Sequence, residues 1–181
     1  DHLSYRGADL YKLNVDTRQL VRLTHQEFTP NRGNGADFDP ANPNSNYPRI
    51  GVFNTGGTFA PGGWIVFTSS RNNLMPPKAF NWVERVLQLH RMRDDGSNVE
   101  LVGHLNLGMA LHPQVLRDGR IAFSSWEMHG IRDLRNFPLW AIGPDGRNWT
   151  SLSGFSELAL THHFMTQMPD GDIVVCRYYN L

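Results

Sequence analysis

Short apolar runs alternate with turn-forming residues along most of the chain, in a pattern typical of β-hairpins. One hairpin pattern occurs three times, at residues 10–24, 89–102 and 139–152. The turns of the three copies are Asp16-Thr17, Asp95-Gly96 and Asp145-Gly146. Asp-Gly between two strand-like runs is a strong hairpin signal, because glycine readily takes the positive φ that the turn needs. The pattern therefore predicts a pair of antiparallel strands at each place.

A second hairpin pattern alternates with the first. Its turns are Pro61-Gly62-Gly63, Arg117-Asp118-Gly119 and Pro169-Asp170-Gly171. The spacing is 56 residues from Gly63 to Gly119 and 52 from Gly119 to Gly171. A repeating unit of about 50 residues with four short strands is typical of a propeller blade.

We therefore predict an all-β fold that is a β-propeller fragment, with four-stranded antiparallel blades whose strands A to D run outward from the axis. Residues 1–181 would be part of a single propeller domain, with about three blades of six or more. The predicted blade pieces are 9–24, 48–103, 112–152 and 163–181. The last of these pieces stops within a predicted strand. We therefore expect a longer polypeptide, and we expect residues 1–181 alone to self-associate through open strand edges.

Composition narrows the classes of partner. Lys plus Arg and Asp plus Glu number 17 each, so no net charge attracts nucleic acid or an anionic membrane surface. No run of 18 apolar residues predicts a membrane-spanning helix. The chain has 1 Cys, which excludes an internal disulfide framework and a Cys-x-x-Cys motif. We predict neither a nucleic-acid partner nor membrane insertion.

The repeat resembles a known family. The segments LYKLNVDTRQLVRLT, LQLHRMRDDGSNVELVG and HPQVLRDGRIAFSS look like the TolB-type β-propeller repeat, whose core is a Pro-x-x-Ser-Pro-Asp-Gly strand pair. The chain departs from that core, most of all at Ala60-Pro61-Gly62-Gly63. The resemblance implies a rigid binding or protein-interaction scaffold, with other protein domains or subunits as partners. It also implies a periplasmic or other extracytoplasmic location.

A narrower resemblance suggests an alternative function. HPQVLRDGRIAFSS and HHFMTQMPDGDIVVCRYYNL are similar to the propeller region of proteins related to the hydrazine synthase alpha subunit. That resemblance implies a metal- or haem-dependent enzyme, redox or hydrolytic, in which a histidine-rich loop face contributes to the site. Haem in such enzymes is attached through Cys-x-x-Cys-His, which is absent from this chain.

The histidines concentrate on one face of the predicted propeller. Six of the 8 lie in D–A or B–C connections: His25, His104, His112, His129, His162 and His163. Imidazole is the commonest metal ligand, so His112, His163 and Cys176 are candidate ligands for a transition metal. Carboxylates at Asp37, Asp39 and Glu127 could add to them.

The alternative interpretation is that these histidines are packed, hydrogen-bonded loop residues. Adjacent strand residues point to opposite sides, so only one of His162 and His163 can face the axis. The segments 29–48 and 71–85 are predicted to be long surface loops, and Trp82 and Trp126 in B–C loops could line a binding surface. No Gly-x-Ser-x-Gly, phosphate-binding Gly-rich loop or His-Glu-x-x-His occurs, so no catalytic residue is predicted.

Overall fold

The computed structural model describes residues 7–26, 52–72, 74, 86–103, 109–126, 137–153 and 161–177. These residues contain twelve β-strands: β1 (Tyr11–Leu13), β2 (Leu20–Arg22), β3 (Asn54–Ala60), β4 (Trp64–Ser69), β5 (Gln88–Arg93), β6 (Glu100–Leu101), β7 (Ala110–Val115), β8 (Ile121–Ser125), β9 (Leu139–Ile142), β10 (Thr150–Ser151), β11 (His162–Gln167) and β12 (Ile173–Arg177). None of the described segments is a helix with the length and apolar character needed to cross a bilayer.

The strands form two complete blades flanked by two half blades. Blade 2 is the antiparallel sheet β3-β4-β5-β6 and blade 3 is the antiparallel sheet β7-β8-β9-β10. Blade 1 is the pair β1-β2, with the places of strands C and D, and blade 4 is the pair β11-β12, with the places of strands A and B. The predicted all-β propeller fold with four-stranded antiparallel blades is therefore confirmed. The predicted domain extent, 1–181, includes residues outside the described part and stays a prediction.

The hydrophobic core lies between successive blades. Three buried layers join blades 1 and 2, blades 2 and 3, and blades 3 and 4, respectively: Leu23, Ile65, Phe67 and Met92; Val66, Leu89, Val102, Ala110, Ile121, Phe123 and Ile142; and Leu116, Ala122, Leu139 and Met165. Each sheet thus buries apolar side chains on one or both faces against its neighbours, as packed sheets do.

The Asp-Gly turns have the geometry that the sequence predicts. Positive φ angles occur at Gly96 (90°), Gly119 (86°), Gly146 (81°) and Gly171 (108°). In each turn the aspartate Oδ1 accepts the amide N–H two residues on: Asp95–Ser97 at 2.9 Å, Asp118–Arg120 at 3.0 Å, Asp145–Arg147 at 3.0 Å and Asp170–Asp172 at 3.1 Å. The Asp16-Thr17 turn differs, because Asn14 Oδ1 accepts both of its amides. We call the side of the protein that carries these turns the turn face.

The opposite side, where strands A and C begin, is here called the upper face. The same interblade hydrogen bond occurs there three times, from the first amide of strand A to a carbonyl just before strand C of the preceding blade. The pairs are Asn54 N to Ala8 O (3.0 Å), Ala110 N to Leu87 O (2.8 Å) and His162 N to Phe137 O (3.2 Å). These bonds place the upper ends of β3, β7 and β11 at equivalent positions in successive blades.

Candidate functional site

Each A strand has a bulge near the upper face. Gly56, His112 and Phe164 all have a left-handed φ, at 65°, 52° and 49°. Each lies seven residues before the glycine of its A–B turn, so the three occupy one position of the repeat. The pairing registers of β3, β7 and β11 shift at this point. A bulge bends the strand and re-aims the side chain, which here is an imidazole in blade 3 and a phenyl ring in blade 4.

The bulges bring three rings of blades 3 and 4 together. His112 Nε2 and His163 Nδ1 are 3.1 Å apart and share a hydrogen bond. The centroids of the His112 and Phe164 rings are 4.1 Å apart. His163 is buried and His112 is half-buried, whereas Phe164 is 65% exposed. We call His112, His163 and Phe164 the bulge cluster.

Two further aromatic rings, both from blade 3, extend the bulge cluster on the side of His163. The Phe137 ring centroid lies 4.8 Å from that of His163. Trp126 stacks on Phe137 at 5.5 Å with an interplanar angle of 6°. Trp126 follows β8 and Phe137 precedes β9, so the upper ends of blade 3 hold His163 in place. Trp126, predicted from the sequence to line a binding surface, lies half-buried in this stack.

The two adjacent histidines, of which the sequence predicts that only one faces the axis, make different contacts. His163 contacts His112, whereas His162 Nδ1 lies 3.2 Å from the Phe137 carbonyl oxygen. Cys176 is the cross-strand partner of His163 in the β11-β12 register. Its side chain is exposed, and its Sγ lies 3.9 Å from the Arg177 carbonyl oxygen.

The predicted metal ligands are thus partly brought together. His112 and His163 touch, and Cys176 lies on the neighbouring strand. Within the described ranges, no three His, Cys, Asp or Glu side chains lie close enough to hold a metal ion. Other predicted contributors, namely Asp37, Asp39, His104, Glu127 and His129, lie outside the described residues, as do Trp82, the segment 29–48 and most of 71–85.

The bulge cluster is uncharged near neutral pH. Burial, and secondarily the positive form of His163, lowers the pKa of His112 from 6.5 to about 4. Burial, and secondarily His162, lowers the pKa of His163. A neutral imidazole has one N–H donor and one acceptor nitrogen, so one of the two rings donates to the other.

These pKa shifts predict an acid-sensitive fold. Between pH 6.5 and about 4 the unfolded chain binds more protons at His112 than the folded chain does. Stability should therefore be full above pH 6.5 and fall as the pH drops toward 4. We expect His112→Asn to lose less stability per pH unit, because asparagine does not titrate in this range. Asparagine also tolerates the left-handed φ of this position. Melting temperatures from pH 4 to 8 would test this, with the exposed His25→Asn as control; equal slopes in all three proteins would contradict it.

The corner between blades 1 and 2, where strand A of blade 2 begins at Asn54, has different chemistry from the bulge cluster between blades 3 and 4. Asp9 Oδ1 accepts hydrogen bonds from Thr24 Oγ1 (2.6 Å) and Asn54 Nδ2 (3.3 Å). Asn54 Oδ1 accepts them from Ser69 Oγ (2.8 Å) and Arg71 Nη2 (3.0 Å). Burial lowers the pKa of Arg71 to about 10, and nearby Asp9 opposes the shift. This corner is a buried structural network. Of these two corners in the described residues, only the bulge cluster exposes an aromatic ring, so we take it as the candidate recognition surface.

Comparisons with known proteins agree with the fold. No model of a known protein family matches the chain, and no curated protein matches it. Among solved structures, the chain is similar to that of a "putative TolB from Agrobacterium tumefaciens", with 22% sequence identity and a TM-score of 0.57. The match covers 96% of this chain and 51% of that chain, so this chain spans about half the length of the solved structure. The likeness shows a TolB-like fold.

Proposed function

We propose that the chain is a rigid β-propeller binding module and that the bulge cluster recognises a segment of another protein. The observation that carries this proposal is the pair of left-handed residues His112 and Phe164 at one position of successive A strands. A non-glycine residue in this conformation costs about 1–3 kcal/mol, and such strain clusters at ligand sites. Here two such residues are in contact, with ring centroids 4.1 Å apart. This pairing of two strained residues favours a recognition role.

The chemistry of the cluster suits a peptide segment. The exposed Phe164 ring offers apolar contact area, and the neutral imidazoles of His112 and His163 offer hydrogen-bonding groups. A rigid frame of packed sheets holds these groups without an ordering cost on binding. The TolB-like fold supports a protein-interaction role, with other domains or subunits as partners. In the same proposal the protein works in the periplasm or another extracytoplasmic compartment.

Phe164→Gly tests this proposal with little risk to the fold. Glycine adopts the left-handed φ without strain, and Gly56 already holds this position in blade 2. We would select a random-peptide phage library on the immobilised chain and measure the affinity of the selected peptides. We expect Phe164→Gly to weaken binding at least about 10-fold, because an exposed aromatic anchor is lost.

Phe59→Ala is the matched control, because Phe59 is equally exposed but lies toward the turn face at the end of β3. Its peptide affinity should equal that of the unmodified chain. Selected peptides that bind Phe164→Gly as tightly as the unmodified chain would contradict the proposal.

A metal-dependent function is the second candidate, favoured by the 3.1 Å between His112 Nε2 and His163 Nδ1. Two nitrogens bound tetrahedrally at 2.0–2.1 Å to one zinc ion lie about 3.3 Å apart. Neutral imidazoles are the ligand form, and Cys176, the cross-strand partner of His163, would have to move closer to the two rings to become the third ligand. This candidate corresponds to an enzyme related to the hydrazine synthase alpha subunit, and that relationship stays a prediction.

Elemental analysis separates the two candidates. The chain would be incubated with zinc chloride, desalted and analysed for bound metal. One zinc per chain that is lost in His163→Ala and Cys176→Ser, but kept in the exposed His25→Ala, would support the metal site. If no zinc is retained, the metal-site candidate is contradicted, and the peptide-binding module remains as the proposed function.

A further inference from the structure

Two arginine side chains stack on one tryptophan at the turn face, where the complete blades 2 and 3 meet. Trp64 begins β4, and its cross-strand partner Arg93 ends β5. Arg91 lies two residues earlier in β5, opposite Val66 of the layer between blades 2 and 3. The guanidinium carbons of Arg93 and Arg91 lie 3.9 Å and 4.4 Å from the centroid of the Trp64 ring. We call Trp64, Arg91 and Arg93 the arginine–tryptophan cluster.

Arg91 has its hydrogen-bonding groups occupied within the chain. Its Nη1 donates to the Pro144 carbonyl oxygen of blade 3, at 3.0 Å. Its Nε and Nη2 both donate to Glu100 Oε2, at 2.8 Å and 2.7 Å. The Nε–Nη2 edge of this guanidinium therefore holds a carboxylate, which balances the charge of Arg91.

Arg93 has the same arrangement without the carboxylate. Its Nη1 donates to the Gly62 carbonyl oxygen at 2.9 Å, which fixes the guanidinium over the indole. Among the described residues, no carboxylate forms an ion pair with Arg93, and its Nε and Nη2 meet no acceptor. The carboxylates of the neighbouring turns already have cationic partners: Asp94 with Lys12, and Asp118 with Arg120. The charge of Arg93 is thus left unbalanced at the surface.

The blade fold does not require this cluster. The residue that follows the glycine of the A–B turn is Trp64 in blade 2, Arg120 in blade 3 and Asp172 in blade 4. Strand B therefore begins in the other two blades without an indole at this position. Tryptophan and arginine are also the residue types that most often dominate binding energy at protein interfaces. Stacking and the bond to Gly62 hold Arg93 in place, so that little side-chain freedom is lost on binding.

We infer that the arginine–tryptophan cluster binds an acidic segment of a partner protein. An aspartate or glutamate side chain of that segment pairs with the Nε–Nη2 edge of Arg93, as Glu100 pairs with the same edge of Arg91. The planar guanidinium matches the two oxygens of a carboxylate, and the half-buried indole offers apolar contact to the methylene groups beside it. The cluster lies on the turn face and the bulge cluster near the upper face, so this inference does not rest on the proposed function.

A peptide titration of the full chain tests the inference. We would add a capped tetraglutamate peptide and follow the Arg93 Nε–H and Trp64 indole N–H signals by NMR. We expect saturable shifts, and we expect Arg93→Gln to raise the dissociation constant at least about 10-fold, because the charged hydrogen bonds are lost.

Arg147→Gln is the matched control, because Arg147 lies on the same face with a side chain that is 82% exposed. It should change the dissociation constant less than about 2-fold. A capped tetraglutamine peptide should cause no shifts. The absence of shifts with tetraglutamate, or equal affinities of the unmodified chain and Arg93→Gln, would overturn the inference.

Two further variants test the geometry, one of them by a gain of binding. Glu100→Gln should lower the dissociation constant at least about 3-fold, because it frees the Nε–Nη2 edge of Arg91 and removes a repelling carboxylate. Arg93→Lys should raise it at least about 3-fold, because lysine keeps the charge but lacks the planar fork. Weaker binding by Glu100→Gln, or equal binding by Arg93→Lys, would overturn the pairing. Inorganic phosphate that binds the cluster more tightly than tetraglutamate would overturn the choice of an acidic protein segment.

Discussion

Replacing Phe123 with alanine is expected to lower the free energy of unfolding by about 3–5 kcal/mol, as for other fully buried phenylalanines. Phe123 is 0% exposed and lies in the layer between blades 2 and 3. Its ring meets the edge of Trp149 at a centroid distance of 5.5 Å. Since both blades contribute to the layer, the cavity cannot close without moving one sheet. Urea unfolding followed by tryptophan fluorescence measures the loss.

Phe59→Ala is the control for this prediction, because Phe59 is 68% exposed on the A strand β3. It should change the unfolding free energy by less than about 0.5 kcal/mol. A loss below about 1 kcal/mol for Phe123→Ala would mean that the interblade layer is not the core, and the packing described above would be wrong.

Gly146→Ala should cost about 2–5 kcal/mol, the sum of backbone strain and a steric clash. Gly146 has a φ of 81°, which an alanine adopts at a cost of about 1–2 kcal/mol. An added Cβ would also lie 2.4 Å from the Val102 carbonyl oxygen of blade 2. Relieving that contact requires the blades to separate locally, at about 1–3 kcal/mol for overpacking.

Gly119→Ala isolates the strain, because Gly119 has a similar φ of 86° and an added Cβ would meet no atom within 4 Å. It should cost about 1–2 kcal/mol. The difference between the two variants measures the interblade clash, and equal costs would contradict the close approach of blades 2 and 3. Gly96→Ala repeats the test between blades 1 and 2, where the Cβ would lie 2.5 Å from the Leu23 carbonyl oxygen.

The local features of the fold follow from the sequence. Asp145-Gly146 predicts a turn because the aspartate side chain and the glycine φ act within a few residues. The bulges do not follow in this way, since Gly56, His112 and Phe164 share no chemistry and only their spacing from the next turn relates them. Their left-handed φ arises from the pairing of a whole strand, which no short window of residues contains.

The candidate site follows from the sequence only in part. His112 and His163 are predicted on one face because both lie near the starts of A strands, and they are in contact. Phe164 is not predicted, since a phenylalanine in an apolar run is indistinguishable from a core residue until the bulge turns it to solvent. The place of Cys176 at the end of strand B is predictable, but its exposure depends on what completes blade 4.

Hydrogen–deuterium exchange, with and without the tightest peptide from the phage selection, tests most directly whether the bulge cluster is the recognition surface. The account predicts slower exchange in 109–116 and 161–168, which include the bulges of β7 and β11. It predicts unchanged exchange in the turn-face segments 93–98 and 143–148. Protection of those turns, with none at the bulges, would contradict the account and place recognition on the opposite face.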